Sequence, residues 1–138
     1  HYPLRRQRQM CIRDRCIAKE TPLCYEGLGR LKAVKIRGNT HETGLFVFEI
    51  LFEFTLLTAI LNREFINHDY LGGLDEAFKF KKLPESFERN ARKLLNWANM
   101  DIDEVIRQAE EFVHNFVILV NKNGIELEEC DSLEKVSF

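Results

Sequence analysis

Between Thr43 and Phe65 the sequence reads TGLFVFEILFEFTLLTAILNREF, and from Gly44 to Leu61 only Glu49 and Glu53 carry charge. A segment apolar on nearly every side has to be covered, by protein or by lipid. A membrane span needs about 20 mostly apolar residues, and each charged side chain near its middle costs roughly 2.5 to 3.5 kcal/mol on insertion scales. Two glutamates there argue against lipid. At i and i+4 they share one narrow stripe, which leaves the other faces for neighbouring helices to pack. The segment therefore reads as the central helix of a bundle. Phe46, Ile50, Phe54, Leu57 and Leu61 recur along it at spacings of three and four, and Leu45, Phe48, Phe52 and Ile60 widen the apolar band. Glu49 and Glu53 are expected to face solvent.

The rest of the chain supplies partners for that helix. With 138 residues, 45% of them apolar and only 7 Gly and 3 Pro, the chain is one domain's worth of long uninterrupted segments. Thr21 and Pro22 suit the cap and first position of a helix whose Leu23, Leu28, Leu31 and Val34 line one side, ending by Gly38. After Asn67-His68-Asp69 and Gly72-Gly73, a short helix is expected over Leu74 to Phe80. Pro84 then opens another, with Phe87, Ala91, Leu94 and Leu95 on one face. Asp101 caps the last long helix, with Glu104 three residues on. Val105, Ala109, Phe112, Val113, Phe116 and Val120 form its core stripe, Asn123-Gly124 stops it, and 125–128 reads as a short extended segment. Short loops between long helices favour antiparallel neighbours. The expectation is an all-α, five-helix, largely up-and-down antiparallel bundle with a short extended C-terminal tail.

Residues 1–15 differ in character from the rest of the chain. They hold five arginines against Asp14 and show no apolar periodicity. The run from Gln9 to Arg15 resembles a translated transposon-end adapter of the kind used to build sequencing libraries, which marks residues 1–15 as non-native and the native domain as 16–138 of a metagenomic fragment cut at its N-terminus. Without them 15 basic residues stand against 21 acidic ones, a net charge of −6, and a nucleic-acid partner loses its support. The cysteines at 11, 16, 24 and 130 form no CxxC pair and have no histidine at ligand spacing. Buried thiols in a reducing cytosol are expected, with no metal site, and no secretory signal is visible.

Three constellations bear on chemistry. On the first helix Glu26, Arg30 and Arg37 fall within a stripe about 40° wide beside the apolar face, since successive residues turn by 100°. Asp101-Ile102-Asp103 has the spacing of paired magnesium-binding carboxylates, but it opens a helix, where capping and the dipole call for acids in any case. Arg63 and His68 match the Arg-x4-His spacing of helical ribonucleases, in which such a pair stabilises phosphate charge and moves protons.

The stretch Tyr25-Glu26-Gly27-Leu28-Gly29-Arg30-Leu31-Lys32-Ala33-Val34-Lys35-Ile36-Arg37-Gly38 resembles the opening of the C-terminal domain of the kanamycin (aminoglycoside) nucleotidyltransferase family. The resemblance continues through the apolar helix to Asn62-Arg63, through Leu74-Asp75-Glu76-Ala77-Phe78-Lys79 and Leu83-Pro84-Glu85-Ser86-Phe87, to Asn123-Gly124 and Phe138. It covers essentially all of 25–138. It implies a five-helix domain of an enzyme that moves a nucleoside monophosphate from a magnesium-bound nucleoside triphosphate to a drug hydroxyl. In that reading Glu26 is the general base and Arg30, where the family usually has Lys, contacts the nucleotide phosphates. The thiols and the absence of a visible signal give the expectation of a cytoplasmic location, and the resemblance further implies a homodimer with sites formed between subunits and a preceding domain carrying Gly-Ser and the metal-binding carboxylates. This chain has no Gly-Ser pair, so on its own it is expected to be inactive. The alternatives are a stand-alone helical module serving a separate nucleotidyltransferase chain, and a ribonuclease using Arg63 and His68.

Overall fold

The structure is a computed structural model describing residues 2–64, 66 and 73–128, with the backbone alone for 2–11, 23 and 24. It contains α1 (Tyr2–Arg37), α2 (Thr43–Asn62), α3 (Gly73–Ala77), α4 (Phe87–Leu95) and α5 (Ile102–Lys122). Single 3₁₀ turns at Thr40–Glu42 and Trp97–Asn99 lead into α2 and α5. No strand occurs among the described residues, and the chain is an all-α helical bundle.

The elements end where local chemistry stops them. Gly38 takes φ 75°, a left-handed conformation that costs glycine nothing, and its amide closes the last turn of α1 on the Val34 carbonyl. Asp101 caps α5, its Oδ1 accepting the Glu104 amide at 2.8 Å, so the Asp101-x-Asp103 pair is accounted for by a cap. Asp103 pairs instead with Lys35 of α1. Asn62 fastens the end of α2 to the chain before α4: its Nδ2 donates to the Lys82 carbonyl at 2.7 Å and its Oδ1 accepts the Lys82 amide at 2.8 Å. Two helices start or stop differently from expectation. The third is confined to Gly73–Ala77, and α4 starts at Phe87 rather than Pro84, because Pro84 and Ser86 make a turn that closes through the Phe87 amide on the Pro84 carbonyl.

The larger departure is at the front of α1. The helix does not begin at Thr21 but runs from Tyr2 through Pro22, so the proline is interior. An interior proline has no N–H for the carbonyl four residues back. That carbonyl belongs to Ala18, and it accepts the Glu128 amide at 3.1 Å. The segment after α5 thus lies against α1 at the gap the proline leaves, held also by buried Ile125. It is this contact, rather than strand pairing, that organises 125–128. Ile17, Ala18 and Thr21 are buried at the same place, just inside the boundary drawn at residue 16. Pro22→Ala should restore a donor to the Ala18 carbonyl and displace Glu128. The expected readout is faster hydrogen exchange at the Glu128 amide with helix content unchanged.

Around α2 the core is aromatic. Phe54, fully buried, meets Phe112 edge-on with centroids 6.0 Å apart and Phe116 at 5.2 Å. Phe87 stacks on Phe112 at 5.4 Å, and Phe78 meets Phe87 edge-on at 5.8 Å. This series ties α2 to α5, α4 and the end of α3, each pair in geometries that ring quadrupoles favour. Thr55 and Thr58 are buried among apolar neighbours because each hydroxyl donates to its own helix, to the Leu51 and Phe54 carbonyls. The α5 stripe from Val105 to Val120 is buried throughout. On α4 the expected face is right at Phe87, Ala91 and Leu94, whereas Leu95 is exposed and Asn90 takes the inward position. The apolar band of α2 is likewise only partly covered. The helix is long and apolar enough to cross a bilayer by length and composition, and half of that window is buried within the bundle.

Candidate functional site

Where α1 crosses α2, the approach is set by Gly27. A Cβ built there would lie 2.9 Å from Ile50 Cγ1 and 3.8 Å from Glu49 Cδ, the first of these closer than ordinary van der Waals contact allows. Only glycine lets the helices come together at this point. On either side of Gly27 along α1 stand Glu26 and Arg30, and directly across from it stands Glu49 of α2.

Arg30 is held between two carboxylates. Its Nη2 donates to Glu26 Oε2 at 3.2 Å within α1, and its Nη1 donates to Glu49 Oε1 across the helix pair. Glu26 and Arg30 are about half exposed, whereas Glu49 keeps only a quarter of its side chain in solvent. Glu53, one turn further along α2, adds its field from the same side. The hydrogen bond to Glu49 raises the Arg30 pKa above its usual value, with the charges of Glu49, Glu26 and Glu53 adding and partial burial opposing. A raised pKa on a base means the pairing contributes fully at any pH below the unfolded value, so Arg30 stays charged throughout the biological range. Glu26 and Glu49 against one arginine leave these three side chains with a surplus of one negative charge.

Beside the cluster a cleft of about 340 Å³ opens between the end of α1 and the start of α2, lined by Arg30, Val34, Arg37, Asn39, Glu42 and Phe46. Arg37 forms its far wall and is exposed, with no ion pair among the described residues. Asn39 is braced by donating to Glu42 Oε2 at 2.6 Å. The stripe expected from periodicity, Glu26, Arg30 and Arg37, is therefore present on one face. The first two are in contact and the third stands across a cleft. Chemically the arrangement offers an accessible carboxylate, a guanidinium fork already oriented, and an acidic surround that favours cations.

Sequence reasoning missed Glu49. Its position on the apolar helix suggests solvent, yet it is the residue that locks Arg30. The signal lay in its being one of only two charges on an apolar helix, which requires a partner once that face meets a neighbour. The other candidate pair fares differently. Arg63 caps the end of α2 in a left-handed conformation, φ 55°, and is exposed. It lies roughly 20 Å along the helix from Glu49, taking 1.5 Å per residue. His68 falls outside the described residues. No group of three His, Cys, Asp or Glu side chains that could hold a metal ion occurs among the described residues, and Cys16 is a free thiol. Comparison with protein-family models, curated proteins and solved structures found no match to this chain.

Proposed function

We propose that the chain is the helical C-terminal domain of a cytoplasmic nucleotidyltransferase of the kanamycin (aminoglycoside) type, with Glu26 as general base and Arg30 meeting the nucleotide phosphates. The observation that carries this reading is the Glu26–Arg30 pair on the α1–α2 crossing, 3.2 Å apart and open to solvent. In the reaction a drug hydroxyl gives its proton to the Glu26 carboxylate while its oxygen bonds to the α-phosphorus, and the bond to pyrophosphate breaks. Arg30 would release one carboxylate to take two phosphate oxygens in bidentate fashion. The negative surplus of the patch supports a polycationic substrate, since ammonium groups are drawn to it from a distance. Magnesium and the nucleoside triphosphate belong, in this reading, to a preceding domain, and the site is completed between two subunits.

Binding tests this directly. The chain should bind kanamycin calorimetrically, with affinity falling as salt rises. Glu26→Gln and Glu49→Gln should each weaken it about tenfold, the loss of one charge-assisted contact. No heat from the wild-type chain at millimolar drug would sink the reading. Without a metal-binding domain the chain by itself should transfer no nucleotide from magnesium ATP to kanamycin, and measurable transfer would overturn the domain assignment.

A further inference from the structure

The net negative charge of 16–138 conceals a local excess of the opposite sign. Residues 79–93 hold six basic side chains, Lys79, Lys81, Lys82, Arg89, Arg92 and Lys93, against two acidic ones, a net charge of +4, while the rest of 16–138 sums to −10. All six are exposed. Arg92 alone among them is ion-paired with a described residue, Glu88, and its guanidinium lies over the Phe78 ring, 5.3 Å from the centroid. Beside it an open cleft of about 650 Å³ is lined by Ser86, Arg89 and Arg92, with half-buried Phe78 and Leu83 on its floor. Lys82 is tied to Asn62, which stands roughly 20 Å along α2 from Glu49 at 1.5 Å per residue. The basic patch is therefore well removed from Glu26 and Arg30.

We propose that this patch binds a single-stranded polynucleotide, with phosphates on the cations and bases on the apolar floor of the cleft. Charge complementarity calls for an anion, and shape narrows the choice. Of the six basic residues only Arg89 and Arg92 line the cleft, so a ligand of its size leaves four cations unused. A chain of phosphates reaches those as well. A bilayer is flat and would leave the floor of the cleft empty. An acidic peptide satisfies the cations but offers no flat rings to Phe78 and Leu83. A polynucleotide supplies both, since every base has a π-face that packs on apolar side chains. Arg92 is already oriented for its part. Its Nε and Nη2 donate to Glu88 Oε1 at 3.1 and 2.9 Å, and Nη1 makes no bond among the described residues, which leaves it for a phosphate oxygen. Arg89 and the four lysines have no ion pair among the described residues, so phosphates displace no carboxylate from them. Binding here is independent of the enzymatic reading, whose site is acidic and lies nearer the other end of α2.

Fluorescence anisotropy of the full chain with labelled oligouridylate of about 20 nucleotides tests it, with a dissociation constant of about 1 to 100 μM expected at physiological salt. Neutralising about four phosphates should make log K fall against log salt with a slope of about −3. Lys81→Glu and Arg89→Glu together should weaken binding about tenfold or more, and the milder Arg89→Gln should reduce the slope by about 0.7. Both positions are exposed, and helical circular dichroism checks that the variants stay folded. Residues 1–15 carry arginines of their own, so Arg5→Ser, Arg6→Ser and Arg8→Ser together serve as the control. They should weaken binding less than the charge reversal does. A strand of the same length without bases should bind about fivefold more weakly or worse, the loss of at least one stacked base. No binding at about 200 μM chain in about 50 mM salt overturns the proposal. So does an affinity that survives the charge reversal, that falls chiefly with the N-terminal arginines, or that the base-free strand or polyglutamate of equal charge matches. Flotation with phosphatidylserine vesicles in place of oligouridylate binding overturns it too.

Discussion

Phe54→Ala is expected to cost about 3 to 5 kcal/mol of unfolding free energy. The side chain is fully buried and is the meeting point of two edge-to-face contacts, with Phe112 and Phe116 of α5. Truncation removes the ring's burial and both aromatic pairs, and it opens a cavity in the middle of the bundle. Neighbours cannot close on it easily, since Phe112 is itself held by stacking on Phe87. Against a typical total of about 5 to 15 kcal/mol, such a loss takes a large share of the stability. Urea denaturation followed by helical circular dichroism measures it. A loss below about 1 kcal/mol, the scale of a surface change, would mean that α2 does not turn this face inward.

Gly27→Val is expected to cost about 3 kcal/mol, the upper end for overpacking, even though valine suits a helix slightly better than glycine. The added Cβ would meet Ile50 Cγ1 at 2.9 Å, and Ile50 is fully buried with nowhere to retreat. The helices must separate instead, and the contact most directly lengthened is Arg30 to Glu49. One substitution gives two readouts: a lower denaturation midpoint, and loss of the slow exchange expected at the Arg30 guanidinium protons in the wild-type chain. Destabilisation with those protons unchanged would show that the ion pair does not depend on the close approach at Gly27.

Much of the bundle was legible because helix periodicity and caps are local. The α5 stripe, the Asp101 cap, the stop at Gly38 and the inward face of α2 are all properties of a few neighbouring residues. What escaped was non-local. Pro22 looks like a helix start within its own window, and only the distant Glu128 amide makes it tolerable inside one. Leu95 fits the α4 stripe, yet no described residue covers it on that side. At the candidate site Glu26 and Arg30 were readable as an i, i+4 pair, whereas Glu49 needed the helix crossing to become visible.

The hydrogen bond between Ala18 and Glu128 also orders events in time. Its two residues are separated by nearly the whole sequence, so on a ribosome the Ala18 carbonyl waits until α5 and the residues beyond it have been made. The α2 helix and the later part of α1 are local structures that can meet early. The front of α1, carrying a gap in its own ladder at Pro22, is therefore expected to be among the last parts to settle during synthesis. Stalled chains ending before residue 128 should show α1 protected from protease after Pro22 and open before it.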